Sequence, residues 1–155
     1  MTRLAVFLAS AGYAGYVPFA PGTIGSLVGL ILYAGIHWAH APLFAELAIL
    51  AVVLVVGVWA AGITERHLGL EDPGPVVIDE VAGMLIPLVL TGVGWSGAVA
   101  GFLLFRLFDI VKPYPASKLE RLGGGLGIMA DDVMAGLYAN VALQLLLRLA
   151  PGWVA

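Results

Sequence analysis

The chain has 155 residues, of which 61% are apolar and 11% are charged, whereas a typical soluble domain is roughly 45–50% apolar and about 25% charged. This composition predicts a membrane protein with a single domain over residues 1–155 and excludes a large domain outside the bilayer. A net charge of −3 with only seven lysines and arginines excludes a basic surface for nucleic acid, and the absence of cysteine excludes disulfides, thiolate nucleophiles and cysteine metal sites.

The N-terminal segment begins like a signal peptide, with Arg3 followed by the apolar run Leu4–Ala11. That run is short and a second apolar stretch follows it closely, so we expect the segment to be retained. Prolines and glycines from Gly12 to Gly22 interrupt helical periodicity. Residues 4–19 are therefore predicted to form a re-entrant or interfacial segment rather than a membrane span.

Two apolar stretches come next and predict a helical hairpin. Ile24–Trp38 is uncharged, and Leu43–Ile63 contains only one charge, Glu46. At 1.5 Å per residue, the second stretch would be about 31 Å long, which is enough to cross a bilayer. The polar stretch Thr64–Pro75 that follows must lie outside the hydrocarbon.

The uncharged stretch Val81–Phe105 is too irregular for one straight helix. Pro87 and the sequence Thr91-Gly92-Val93-Gly94 interrupt it, so we expect two shorter helices joined by a turn. Such a turn would bring the acids before this stretch and the charged residues after it to the same face of the membrane. The final apolar run, Val133–Leu147, is a short span unless its helix extends back through Asp131-Asp132.

The distribution of charge favours the turn. All but three charged residues, namely Arg3, Glu46 and Arg148, lie between positions 65 and 132. With the turn, six of the seven cations share one face, which the positive-inside rule assigns to the cytoplasm. These six are Arg3, Arg66, Arg106, Lys112, Lys118 and Arg121.

Polar residues mark the start of two of the predicted helices. In Pro21-Gly22-Thr23-Ile24-Gly25-Ser26, the hydroxyls of Thr23 and Ser26 either cap the helix or help its free N–H groups to bind an anion. Asp79 and Glu80 follow a rigid Pro/Gly turn; acids there interact with the helix dipole, but ionised carboxylates at a membrane boundary are costly and usually functional. Gly83, four residues after Asp79, would let another helix approach closely.

Two further segments combine charge with unusual backbone signals. The spacing places three charged residues, Arg106, Asp109 and Lys112, on one helical face. If they formed only ion pairs along the helix, each pair would contribute only a few tenths of a kcal/mol to stability. Pro113 should end that helix. Four glycines in the five positions 123–127 predict a loop that can approach a ligand, followed by Asp131 and Asp132 at the head of the last helix.

Five acids at three helix ends would repel one another without a cation, and an all-oxygen ligand set is typical of Mg²⁺ rather than of zinc or copper. Carboxylate-bound Mg²⁺ commonly also holds a phosphate, so we predict Mg²⁺-dependent phosphoryl chemistry on a substrate within the bilayer. No histidine accompanies the acids, so a phosphohistidine intermediate has no candidate. The predicted catalytic and metal-binding residues are Asp79, Glu80, Asp109, Asp131 and Asp132; the predicted substrate-binding residues are Thr23, Ser26, Arg106, Lys112 and Lys118.

These segments resemble those of the phosphatidylglycerophosphatase A family of bacterial membrane phosphatases, in the same order and spacing over residues 20–136. The matching stretches are Pro21–Ser26, Ile78–Gly83, Phe105–Asp109 with Lys112-Pro113 and Pro115, and Gly124–Met129 with Asp131–Val133 and Ala135-Gly136. The apolar stretches predict an all-α membrane bundle with its active site at helix ends. The resemblance implies an enzyme that uses Mg²⁺ to convert phosphatidylglycerophosphate to phosphatidylglycerol at the inner membrane. It leaves the role of each acid open.

Two other classes agree less well with the sequence. A CDP-alcohol phosphotransferase needs Asp-x-x-Asp-Gly-x-x-Ala-Arg, and here Asp131-Asp132 continues without that arginine. A small cation transporter would carry its acids in the middle of a span, whereas these acids lie at predicted boundaries. The sequence leaves open the oligomeric state, including a homo-oligomer, and the choice between an aspartate nucleophile and a metal-activated water.

Overall fold

The computed structural model describes residues 1–119 and 122–150, and within these ranges the chain is all-helical, as predicted. Arg121, one of the predicted cytoplasmic cations, lies outside the described residues. The helices are α1 (Thr2–Ala9), α2 (Pro21–Trp38), α3 (Leu43–Leu68), α4 (Ile78–Val89), α5 (Trp95–Val111), α6 (Ala116–Leu119) and α7 (Gly124–Leu149).

The N-terminal segment is a short helix followed by turns. Helix α1 has eight residues, about 12 Å, and is too short to cross a bilayer. Left-handed backbone at Ala11, Gly12 and Tyr13 turns the chain back on itself before α2 begins. Helix α1 packs on α3, and the Val77 N–H donates a 2.9 Å hydrogen bond to the Ala9 carbonyl. Residues 4–19 therefore contain no helix long enough to span a bilayer, as predicted, and their re-entrant or interfacial position stays a prediction.

The predicted hairpin is only partly correct. The connector between α2 and α3 is short, as expected, but the two helices do not pack side by side in the described part of the chain, because α4 lies between them and contacts both. Helix α3 includes Thr64–Leu68, the first residues of the polar stretch Thr64–Pro75, and ends at Gly69 with φ 66°.

Helices α4 and α5 are the two shorter helices predicted from Val81–Phe105, and the turn between them includes Gly92 at φ 60°. The buried Tyr33 hydroxyl donates a 2.6 Å hydrogen bond to the Val93 carbonyl and anchors this turn to α2. Pro87 lies inside α4 instead of ending it. The proline removes the helical donor to the Gly83 carbonyl, and Gly136 of α7 packs against that carbonyl.

Helix α7 begins earlier than predicted, because Gly124–Gly127 form its first turn instead of a loop. Asp131 and Asp132 therefore lie about two turns inside the helix rather than at its head. Packing explains the difference: a Cβ atom at Gly125 would overlap the Val58 carbonyl of α3, so the glycines allow the two helices to approach closely. Contacts between helices outweigh the intrinsic preference of glycine for loops.

Helices α3 and α7 are both 26 residues long and apolar enough to cross a membrane, by length and composition. Large apolar side chains are exposed along most of the bundle, a pattern that suits lipid better than water. Examples are Ile31, Val52, Val55, Leu103 and Val141. These features are consistent with a membrane protein.

Candidate active site

Three carboxyl groups meet at one end of the central helix. Asp79 and Glu80 lie in the first turn of α4, and Asp132 reaches them from α7; one oxygen of each lies within 4.8 Å of the others. Asp79 is 7% exposed and Asp132 is 3% exposed. The buried atoms Asp79 Oδ1, Glu80 Oε2 and Asp132 Oδ2 have no hydrogen-bond partner within the protein. Unpaired buried carboxylate oxygens are costly unless a cation binds them.

The other two predicted acids line the same cavity but are held by basic side chains. Arg106 Nη1 contacts Asp109 Oδ2 at 2.5 Å, and Lys112 Nζ contacts Asp131 Oδ2 at 2.7 Å. The structure therefore brings all five acids together and separates them into a group of three and a group of two. The cavity has a volume of about 140 Å³ and is lined by Pro21, Gly22, Asp72, Gly74, Val76, Asp79, Glu80, Asp109, Lys112, Asp131 and Asp132.

The start of α2 shapes one wall of this cavity. A Cβ atom at Gly22 would overlap Glu80 Oε1 and would lie 3.1 Å from Arg106 Nη1, so a larger residue would displace the ends of both side chains. Ser26 is fully buried; its hydroxyl donates to the Gly22 carbonyl at 2.8 Å and accepts from Arg106 Nη1 at 3.4 Å. Neither Thr23 nor Ser26 caps the helix, because its N-cap is Ala20 and no side chain bonds there.

The predicted substrate-binding residues occupy different positions. Lys112 lines the cavity, whereas Arg106 and Ser26 lie behind its wall, where Arg106 holds Asp109. Thr23 is half-buried outside the lining. Lys118 is exposed and its ammonium lies 5.0 Å from the centre of the Tyr114 ring. Of these five residues, Lys112 is the one with direct access to the cavity.

Sequence reasoning missed Asp72, which lines the cavity from the loop between α3 and α4. The signal for it was the rigid turn Asp72-Pro73-Gly74-Pro75 just before the paired acids. Asp72 adopts a left-handed conformation with φ 43°. It also borders a larger polar cavity of about 540 Å³, whose other acidic lining residues are Glu65, Glu71 and Asp131. The acids thus extend from the buried cluster towards this second cavity.

Burial affects protonation at the start of α4. Helix α4 has 12 residues and is too short to cross a bilayer alone. Burial raises the pKa of both Asp79 and Glu80, and for Asp79 the nearby Glu80 carboxylate adds to the rise. Both shifts have the direction expected when ionised acids are removed from water and placed side by side. A bound cation would reverse the direction by stabilising the ionised forms.

The donor set at this cluster consists of carboxylate oxygens, which are the ligands that hard divalent cations prefer. The chain is apolar and all-helical, and each of three neighbouring carboxyl groups buries one oxygen without a partner. These features define the class: a helical membrane protein with a carboxylate site that can hold a metal ion. Comparison with known proteins identifies the family within this class. The sequence profile described as Phosphatidylglycerophosphatase A matches residues 7–147, so the chain belongs to the phosphatidylglycerophosphatase A family.

Individual relatives agree with this assignment. A Haemophilus influenzae protein named Phosphatidylglycerophosphatase A is 36% identical over 141 residues, covering 89% of this chain and 86% of the relative. The Escherichia coli protein of the same name is 35% identical over 127 residues, covering 81% and 73%. A Bacteroides thetaiotaomicron protein, provisionally named phosphatidylinositol-3-phosphatase, is 38% identical over 147 residues, covering 90% and 91%. No solved structure matches the chain.

Proposed function

We propose that this protein is a Mg²⁺-dependent phosphatase that converts phosphatidylglycerophosphate to phosphatidylglycerol at the cytoplasmic face of the bacterial inner membrane. Membership of the family supports the reaction and the lipid substrate. The observation that carries the chemistry is the group of buried, unpaired oxygens of Asp79, Glu80 and Asp132. Their hardness and charge favour Mg²⁺ over a softer metal.

The five acids and Lys112 have different roles in the proposed reaction. Asp79, Glu80 and Asp132 would hold Mg²⁺, which when bound supplies Lewis acidity toward a phosphoryl oxygen and lowers the pKa of a coordinated water. Lys112 binds the phosphate of the substrate and, through its ion pair, orients Asp131. The ion pair with Arg106 holds Asp109 at the wall of the cavity. Both a water nucleophile and an aspartate nucleophile are compatible with this arrangement.

The proposed reaction is tested by measuring phosphate release from purified protein in detergent. The substrates are phosphatidylglycerophosphate, phosphatidic acid, phosphatidylinositol 3-phosphate and a soluble phosphate ester, each with Mg²⁺ and with chelator. We expect the highest kcat/KM with phosphatidylglycerophosphate and no turnover in chelator. Preference for phosphatidylinositol 3-phosphate would instead favour the activity after which the Bacteroides relative is named. Turnover that persists in chelator would contradict the proposed metal.

Replacing Lys112 with alanine is expected to lower kcat/KM at least about tenfold, because this removes roughly 1.4 kcal/mol of charge-assisted bonding to the phosphate. The matched control is Arg66→Ala, which removes an exposed cation at the end of α3 outside the cavity and should change kcat/KM less than about twofold. Steady-state kinetics on both variants make the comparison. Wild-type kinetics in Lys112→Ala would remove this lysine from the phosphate site.

The cytoplasmic location of the site is tested by labelling single introduced cysteines, since the chain has none of its own. With a membrane-impermeant maleimide, Glu71→Cys and Ser117→Cys should react from the cytoplasmic side and Ala41→Cys from the opposite side. The reason is the six-to-one distribution of cations and the turn between α4 and α5. Reaction of the Glu71 and Ser117 positions from opposite sides would contradict the proposed topology.

A further inference from the structure

One edge of the acidic cavity is formed by the chain that leads into α2. Pro21 and Gly22 line the cavity, and Phe19, only two residues earlier, is 82% exposed. Two residues span at most about 7 Å of chain, so the backbone of Phe19 lies close to the cavity. Tyr16 and Val17, just before it, are also exposed. Exposed apolar side chains therefore lie in the segment that leads to this edge of the cavity.

A second edge of the cavity, at the end of α5, also carries exposed apolar side chains. Asp109 and Lys112 line the cavity, and the two residues between them, Ile110 and Val111, are 72% and 62% exposed. Tyr114 extends this apolar surface beyond Lys112 and is also exposed. Ile110 and Val111 project from faces of α5 that are turned away from the cavity, so exposed apolar side chains lie on the outer side of the helix turn that carries the two charges. Water would disfavour these apolar groups, whereas the edge of the hydrocarbon would accommodate them.

The remaining side of the site has the opposite chemistry. There, Glu65, Glu71 and Asp72 line the second, larger cavity, and its described lining contains no lysine or arginine. The charged side chains in that described lining, which an anionic headgroup approaching from there would meet, are all carboxylates. On the α5 edge it would meet Lys112. Charge and hydrophobicity therefore both favour approach of a phospholipid from the side of α2 and α5.

We infer that the edge of the cavity between the start of α2 and the end of α5 is a lateral portal for the lipid substrate. The acyl chains of a glycerophospholipid lie against Phe19 on one edge and against Ile110 and Val111 on the other, while the headgroup phosphate reaches Lys112 and the acids. The inference rests on the proposed function and adds where the lipid portion binds. A cavity of about 140 Å³ lined by carboxylates has no room for acyl chains, so they must remain outside it.

The test compares substrates that differ only in their acyl chains. Phe19→Ser and Ile110→Ser each remove an exposed apolar contact without touching the acids. With dioleoyl phosphatidylglycerophosphate in mixed micelles, we expect each variant to raise KM about fivefold to tenfold with kcat nearly unchanged. With a water-soluble dibutanoyl analogue, which lacks long chains, KM should change less than about twofold.

The matched control is Trp38→Ser, since Trp38 is 85% exposed and lies at the far end of α2 from the acids. It should leave KM unchanged for both substrates. Thermal unfolding in detergent confirms that each variant is folded. Equal changes for the dioleoyl and dibutanoyl substrates, or unchanged KM for the dioleoyl substrate in both portal variants, would overturn the portal.

A second measurement does not depend on turnover. Wild-type protein in chelator is irradiated with phosphatidylglycerophosphate that carries a diazirine in one acyl chain, and adducts are mapped by mass spectrometry. We expect adducts within residues 16–22 and 107–114. Adducts concentrated around Trp38 and Trp95 would overturn the portal. If the wild type releases no phosphate yet labels at these two edges, the proposed activity fails and the portal stands.

Discussion

Replacing Asp79 or Asp132 with asparagine is expected to lower kcat at least about a hundredfold, a loss of roughly 2.7 kcal/mol of transition-state stabilisation. The same variants should be as stable as the wild type, or more stable, when chelator removes divalent cations. Activity and stability would then change in opposite directions. That combination is the signature of a carboxylate retained to bind metal rather than to stabilise the fold.

The physical reason is the repulsion within the buried cluster. Asp79, Glu80 and Asp132 bring three acidic groups within 4.8 Å of one another, and three of their oxygens lack hydrogen-bond partners within the protein. Burial raises the pKa of Asp79 above its value in the unfolded chain. The free energy of unfolding therefore falls as the pH rises from the pKa of Asp79 in the unfolded chain to its higher pKa in the native state. Ionised Asp79 is consequently unfavourable for folding at neutral pH. Asparagine removes this cost and also removes a metal ligand.

The measurement combines kinetics with thermal unfolding in detergent at several Mg²⁺ concentrations. Mg²⁺ should raise the Tm of the wild type more than that of either variant, because a ligand stabilises the native state in proportion to its affinity. The control is Glu46→Gln, which removes an acid from the first turn of α3, away from the cluster. If turnover stays within about twofold of wild type and Mg²⁺ stabilisation is unchanged in both aspartate variants, the proposed metal site is wrong.

Replacing Gly83 with alanine is expected to destabilise the protein by about 1–3 kcal/mol and to lower kcat/KM at least about tenfold. A Cβ atom at this position would lie 2.5 Å from Phe105 Cε2 and 2.8 Å from the Asp132 carbonyl. Neither neighbour is free to move, because Phe105 is fully buried and the carbonyl belongs to the backbone of α7. The helices must separate, and Asp132 then moves away from Asp79 and Glu80.

Gly35→Ala is the matched control for this prediction. It adds the same methyl group inside α2, where no atom lies within 4 Å of the new Cβ. Because alanine has the higher helix propensity, the control should be as stable as the wild type or slightly more stable. Thermal unfolding and kinetics of both variants, side by side, make the test. Equal stability and activity in the two variants would show that α4 and α7 do not depend on contact at Gly83.

Local sequence signals were sufficient to predict where most of the helices begin and end. The break at Thr91-Gly92-Val93-Gly94 predicted the turn between α4 and α5, and Pro113 predicted the end of α5. Both signals act within a few residues, because glycine and proline restrict the backbone wherever they occur. The same reasoning failed at Gly124–Gly127, which form the first turn of α7 because the glycines allow close packing between α3 and α7.

Composition, the order of the helices and the residue types of the candidate site followed from the sequence alone. Five acids and Lys112 were identified from their positions at helix ends, and the structure brings all six to one cavity. Only the tertiary structure distinguished Asp79, Glu80 and Asp132, each with one buried oxygen that lacks a partner, from the ion-paired Asp109 and Asp131. It also placed α4 between α2 and α3 and brought Asp72 to the cavity. Charge pairing and helix neighbours depend on contacts between residues far apart in the chain, which local sequence patterns do not specify.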